Sequence, residues 1–191
     1  MTKILALLAL CYAGLASANN EFSDFFNSLE ALSADFSQQT YNDSGELLNN
    51  TSGYFHFKRP AQFVWQTQTP IQQMLLLTNN ELWLIDTELE QASKRTMDDL
   101  NNTPLYWLIN RPEQLQSIPQ RTDNEEGMRW YATPEENQLS FGFKDKKLSA
   151  LKLTNQLSQK VLIRFSKLKI NPALDQDAFA LKLGPDFDVI R

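Results

Sequence analysis

The sequence predicts an α+β fold in which many antiparallel strands carry a few helices on one side. Three observations lead there. Residues 21–32 place Phe22, Phe25, Phe26, Leu29 and Leu32 at i, i+3, i+4, i+7 and i+10, the spacing of a helix with one strongly apolar face. Beyond residue 33 the apolar period falls towards two, in short runs separated by polar turns. No repeat, low-complexity tract or linker divides the chain beyond that helix.

The first residues read as an export leader. Lys3 supplies a positive start, Ile4 to Leu15 an apolar stretch, and Ala16-Ser17-Ala18 an A-x-A cleavage site. Cys11 does not suit lipidation, because Leu10 stands before it where a small residue is required. Cleavage after Ala18 leaves 173 residues, a length that suits one domain over 19–191. Losing Lys3 takes the formal charge from −5 to −6, and losing Cys11 removes the only thiol. That excludes a disulfide framework, a cysteine nucleophile and a thiolate metal site. A net acidic chain is a poor nucleic-acid binder, and no later stretch approaches the ~18 apolar residues of a membrane span. A soluble exported protein is expected.

After the helix, strands are expected at Ala34–Tyr41, Leu47–Lys58, Gln62–Gln68, Gln73–Thr78 and Glu81–Asp86. Asn42-Asp43-Ser44-Gly45 and Asn79-Asn80 join them with residues that tolerate left-handed backbone. Met74-Leu75-Leu76-Leu77 and Leu82-Trp83-Leu84-Ile85 are apolar on both faces, more than a half-exposed meander needs. A second helix starts at Thr103-Pro104, with threonine as cap and proline at the first helical position, and ends by Pro112. Strands return at Met128–Thr133, Gln138–Lys144, Leu148–Thr154 and Lys160–Lys169. A helical turn at Asp175 to Ala178 and a last strand around Phe187 to Ile190 complete the series.

Catalytic signatures are scarce. His56, the single histidine, lies between Phe55 and Phe57 with the opposite facing, and no G-x-S-x-G elbow exists to partner it. One imidazole without a thiol cannot build a usual transition-metal site. Asp175/Asp177 and Asp186/Asp188 lack the glycine and terminal glutamate of a calcium loop. The six glycines are scattered and form no phosphate-cradling loop. Neither a cofactor nor a metal is expected, and nothing positive points to an enzyme.

The run Gly53 to Trp65 carries the most information. It reads as two aromatic strands joined at a Lys58-Arg59-Pro60 corner, with Gly53, Phe55, Phe57 and Arg59 on one side. A guanidinium beside Phe63 and Trp65, at the end of an aromatic row, needs hydrogen-bond acceptors. Together with the Phe-rich helix and the Leu-Tyr-Trp-Leu-Ile segment, this describes either a binding cavity or a plain packed core. Periodicity alone favours the core.

Longer patterns extend beyond these elements. They are Ser33-Ala34-Asp35-Phe36-Ser37-Gln38, then Gly53-x4-Lys58-Arg59-Pro60-x2-Phe63-x-Trp65, then Glu81-Leu82-Trp83-x2-Asp86-x2-Leu89-Glu90-Gln91-Ala92. Asn102-Thr103-Pro104-x3-Leu108-Ile109, Asp177-x-Phe179 and Pro185-x-Phe187-Asp188-Val189-Ile190 come after them in order. In this order and spacing the chain resembles the LolA family of periplasmic lipoprotein carriers. Asn79-Asn80 departs from the family's usual Asp-Gly, and Gln114 to Gly127 matches nothing firmly.

The resemblance implies an unclosed antiparallel β-barrel, a strongly curved sheet, with a helical lid over an apolar cavity. It implies a monomeric, non-catalytic periplasmic chaperone of a Gram-negative bacterium. Such a chaperone takes acylated lipoproteins from the inner-membrane ABC transporter LolCDE and passes them to the outer-membrane receptor LolB. At ~0.8 kcal/mol per buried CH₂, acyl chains represent tens of kcal/mol that must be sheltered from water. It also implies that Arg59 latches the lid through backbone carbonyls of the helices. The cavity residues expected are Phe55, Phe57, Phe63, Trp65, Leu75, Leu77, Leu105, Leu108 and Ile109, with Phe22, Phe25, Phe26 and Leu29 on the lid helix. A carrier or sensor for another lipid, and a periplasmic hydrolase with a carboxylate pair, stay open as other readings.

Overall fold

The computed structural model describes residues 21–96, 103–115, 117–134, 139–155 and 157–190. The expected leader with Cys11 lies outside the described residues, as do Asn102 and the expected strand start at Gln138. Helix α1 runs over Glu21–Ser28 and strand β1 over Ala31–Tyr41. The helix is therefore shorter than its apolar spacing suggests. Leu32 continues the spacing as an inward residue of β1, because helix and strand bury their apolar sides in the same core.

Strands β2 (Leu47–Lys58), β3 (Gln62–Thr69), β4 (Gln73–Thr78) and β5 (Glu81–Asp86) come next as antiparallel neighbours. Strand β6 (Gln91–Arg95) extends them, and its single buried residue, Ala92, left no apolar period to display. Helix α2 spans Pro104–Ile109, with a 3-10 turn after it at Pro112–Gln114. The second half contributes β7 (Gln120–Glu125), β8 (Met128–Ala132), β9 (Ser140–Lys144), β10 (Lys147–Thr154) and β11 (Lys160–Ile170). A 3-10 turn at Gln176–Phe179 and strand β12 (Asp188–Ile190) end the series.

All twelve strands form one sheet in the order β12-β6-β5-β4-β3-β2-β1-β11-β10-β9-β8-β7. Among the described residues the two edges do not pair, so the curved sheet is an unclosed barrel. Every pairing is antiparallel except β12 with β6, which is parallel and departs from the all-antiparallel expectation. Strand β1 joins the halves, pairing with β2 on one side and β11 on the other. The turns use Asn79 (φ 49°) and Asn80 (φ 61°) in left-handed backbone, as their short polar side chains allow.

Packing explains the doubly apolar strands. Leu75, Leu77 and Leu82 turn inward into the main core, while Leu76, Trp83 and Ile85 turn outward. Phe179, with Leu174, Leu181, Leu183 and Phe187, folds back over that outer face. On the other half, Met128, Trp130 and Ala150 form a third cluster outside β8–β10. Gly142 lies under the Trp130 ring, where a Cβ would come within 2.9 Å of Cη2.

Candidate functional site

The inward side chains of the curved sheet and the two helices enclose a cavity of about 970 Å³. That is at the top of the ~300–1,000 Å³ range of drug-sized ligand pockets. Of the residues expected to line it, Phe55, Phe63, Trp65, Leu75, Leu105 and Leu108 do so. Phe57, Leu77 and Ile109 do not. Phe57 and Leu77 are fully buried at the end of the sheet where α1 crosses, and Ile109 packs against the same core. Parity put Phe57 and Leu77 on the correct face but could not say how far along the strands the cavity extends. Of the residues expected on the lid helix, Phe22, Phe25 and Phe26 are on α1 and Leu29 lies just past its end; all four are buried, and Phe26 alone of them reaches the cavity.

The far wall was missed. Leu151 and Leu153 of β10, and Val161, Ile163 and Phe165 of β11, line the cavity opposite β3 and β4. Their period-two spacing was legible, but the motifs that drew attention lie in the first half of the chain. Aromatic stacking stiffens the near wall: Phe36 and Trp65 stack at 3.9 Å between centroids, and Phe55 lies 5.7 Å from Trp65.

Arg59 sits where β2 ends. Its Nε donates to the Leu29 carbonyl at 2.6 Å, Nη1 to the Ile109 carbonyl at 2.7 Å and Nη2 to the Phe26 carbonyl at 3.1 Å. One planar fork thus spans the C-terminal side of α1 and the last residue of α2. The acceptors include carbonyls that a helix end leaves without intrahelical partners, and a cation suits that end of the helix dipole. Burial lowers the Arg59 pKa from its ordinary value, and nearby Arg111 adds to the effect. The guanidinium remains the charged form at neutral pH.

A second arginine, not singled out in the sequence, does similar work. Arg111 donates from Nη1 to the Asn27 carbonyl at 2.6 Å and from Nη2 to Glu30 Oε1 at 2.5 Å. Its available signal was position, one residue before Pro112, as Arg59 stands before Pro60. Asn171, after β11, completes the set: Nδ2 donates to the Ser28 carbonyl while Oδ1 accepts from the Glu30 and Ala31 amides. At the other end of α1, Glu21 accepts two bonds from Arg129 of β8, at 2.7 and 2.6 Å. These bonds lower the Glu21 pKa from its ordinary carboxylate value.

His56 faces away from the cavity, with Nδ1 3.2 Å from Ser33 Oγ, and burial lowers its pKa. Among the described residues no group of three or more His, Cys, Asp or Glu is placed to hold a metal ion.

A family profile described as outer membrane lipoprotein carrier protein LolA matches residues 27–182, which include β1, the Arg59 corner, α2 and the far wall. The chain belongs to the LolA family. It is similar to the outer-membrane lipoprotein carrier protein of Hahella chejuensis, at 25% identity over 100% of this chain and 98% of the relative. A protein of the same name from Pseudomonas aeruginosa is 29% identical over 96% of this chain and 92% of its own length. Among solved structures, a LolA superfamily protein from Nitrosomonas europaea superposes with a TM-score of 0.51 at 10% identity, covering 84% of this chain and 94% of that one. A conserved protein from Thermus thermophilus gives a TM-score of 0.54 at 9% identity, over 90% and 95% of the two chains. These two likenesses are of fold alone.

Proposed function

We propose that this LolA-family chain is a periplasmic lipoprotein chaperone. In this reading it receives lipoproteins from the inner membrane, shelters their acyl chains and delivers them to an outer-membrane receptor. The observation that carries the reading is the apolar cavity of about 970 Å³ beside two helices that Arg59 joins through three neutral carbonyls. Acyl chains need apolar shelter, and a joint made of hydrogen bonds to neutral acceptors can open and re-form without separating an ion pair. The names of the curated relatives support lipoprotein as the cargo.

In detail, the donor is the ABC transporter LolCDE and the acceptor is LolB. The working form is residues 19–191, one monomeric domain freed of its leader. It has no catalytic role: cargo is moved, not transformed. Arg59 is the latch, Phe55, Phe63, Trp65, Leu75, Leu105 and Leu108 meet the acyl chains, and Phe57, Leu77 and Ile109 form the floor beneath them.

Native mass spectrometry of the protein isolated from its own cells tests the reading. Acylated lipoprotein should be retained as cargo, and purified empty protein should accept it from inner-membrane vesicles in the presence of the transporter and ATP. Recovery of another lipid class alone, with no transfer of lipoprotein from vesicles, would refute it.

A further inference from the structure

Along β1 the inward residues change character abruptly. Leu32, Ala34 and Phe36 are apolar and buried, whereas Gln38 and Thr40 are polar and line the cavity. Thr40 pairs across β2 with Asn49, a third lining residue. None of the Gln38 and Asn49 carboxamides and the Thr40 hydroxyl hydrogen-bonds to a described residue. Asn49 is exposed, Gln38 is half-buried, and the hydroxyl of Thr40 reaches open space, since among the described residues no side-chain polar atom is both buried and unpaired. A packed core at these positions would be apolar, so the polar side chains mark the end of the cavity where its lining meets open space. Three such groups at one end of a greasy cavity leave donors and acceptors open to a ligand that brings its own.

This end is also the mouth. Leu48 and Asn49 line the cavity and are both exposed to solvent, whereas Leu29, Phe57 and Leu77 beside Arg59 are fully buried; Arg95, in the row of Phe57 and Leu77, is an exposed lining residue on the β6 side. From Leu32 to Thr40 the strand spans about 26 Å at ~3.3 Å per residue. An acyl chain of one bilayer leaflet needs only about half of the ~30 Å hydrocarbon thickness. A chain inserted tail-first towards Arg59 therefore brings its head to the Gln38–Thr40–Asn49 end.

We infer that Gln38, Thr40 and Asn49 form a polar subsite at the cavity mouth that binds the neutral linkage region of a lipidated peptide. The groups recognised are the ester and amide carbonyls of an acylated, diacylglyceryl-modified cysteine and the first peptide N–H groups after it. The inference rests on the carrier reading above and adds the orientation of the cargo. Carboxamides and a hydroxyl both donate and accept, which matches a linkage that offers carbonyls and N–H groups together. The nearby lining residues Val161 and Leu153 are uncharged; the lining does include one cation, Arg95, which pairs with Leu82 in the row of Phe57 and Leu77, away from these three groups along the strands.

The test compares the full mature protein with the shape-conserving triple variant Gln38→Met, Thr40→Val, Asn49→Leu. Three probes are titrated: a synthetic triacylated lipopeptide, phosphatidylglycerol in sub-micellar detergent, and an apolar naphthylamine dye. The expected result is a 10- to 100-fold loss of lipopeptide affinity, with dye affinity unchanged within twofold. Asn49→Leu alone, at an exposed position, should lose 3- to 10-fold and serves if the triple variant misfolds. Unchanged lipopeptide affinity, or an equal loss for dye and lipopeptide, overturns the subsite. So does an equal loss for phosphatidylglycerol, which would assign the groups to glyceryl esters in general. Failure of the unaltered protein to bind lipopeptide while still binding dye overturns the carrier reading, and the subsite with it.

Discussion

Replacing Arg59 by leucine removes three hydrogen bonds, but they do not all hold the same things together. The bonds to Leu29 and Phe26 tie the end of β2 to α1, which Asn171 and Arg129 also hold. The bond to the Ile109 carbonyl ties α2 into the same fork. Among the described residues, the other side-chain bonds that cross from the α2 side to α1 come from Arg111, to Asn27 and Glu30. The substitution therefore deletes one charged link of three across the α1–α2 joint. A hydrogen bond with a charged partner contributes ~1.5–3 kcal/mol. Ile109 lines the adjoining cleft of about 380 Å³, so its released carbonyl regains water there and the α1–α2 joint carries no large additional penalty for a buried unpaired group.

Closure of the empty protein should thus weaken by ~1.5–3 kcal/mol, a factor of ~10–150 at 1.4 kcal/mol per decade. If closing competes with cargo, linkage raises cargo affinity by up to the same factor. The Leu variant should load from inner-membrane vesicles normally or better and hand over poorly to the receptor. Arg59→Lys should be intermediate, because one ammonium cannot reach three carbonyls in the plane that the guanidinium spans. The assay is a two-step transfer with a parallel titration of cargo affinity. Normal hand-over and unchanged affinity in a folded Leu variant would refute the latch.

Four further outcomes are expected. Trp65→Glu should fold and lose dye and lipoprotein uptake, since a carboxylate replaces a half-buried ring stacked on Phe36; Phe63→Glu, at a site 4% exposed, should lose several kcal/mol of stability as well, read by urea unfolding. Gly53→Ala should cost about 2–3 kcal/mol in the same measurement, because its Cβ would stand 1.8 Å from the Gln66 carbonyl oxygen beside a bulge in β3. Arg111→Ala should raise cargo affinity in the direction of Arg59→Leu, and the double variant should depart from additivity because both arginines serve one joint. Glu21 has its pKa lowered below the ordinary 4.5 by Arg129, so its stabilising contribution is complete above about that pH and is lost as pH falls through the depressed folded value; Glu21→Gln should flatten this part of an acid-unfolding curve.

Where one face of a strand is apolar, the sequence located the element closely. Strands β2, β4 and β5 begin and end where the pattern places them. Strand β7, Gln-Arg-Thr-Asp-Asn-Glu, is exposed throughout at the sheet edge, so it carries no apolar period and was not anticipated. Arg59 was legible because parity placed a charge in an aromatic row, a conflict that only specific acceptors resolve. Arg111 was not, because its acceptors, Asn27 and Glu30, lie more than 80 residues away across the fold. The depth of the cavity was equally hidden: Phe55 and Phe57 are identical in type and facing, yet one lines the cavity and the other is buried in the core beyond it.

An apolar cavity of this size persists only if its walls resist collapse, and the sheet's outer face supplies that resistance. A lone curved sheet over about 970 Å³ of space would gain burial by flattening onto itself. On one flank the segment after β11 returns to seat Phe179 against Val64, Leu76 and Trp83, fixing the backs of β3–β5. On the other, Trp130 lies across Gly142, and Lys152 lies over the indole at 4.2 Å while bonding to Glu125. Each wall is thereby packed from behind. Leu75 and Leu151 can then face the cavity without depending on one another for contact. The two-sided hydrophobicity of Met74–Leu77 and Leu82–Ile85 is the sequence form of this division: one face lines the cavity or its adjoining core, and the other holds the wall in place.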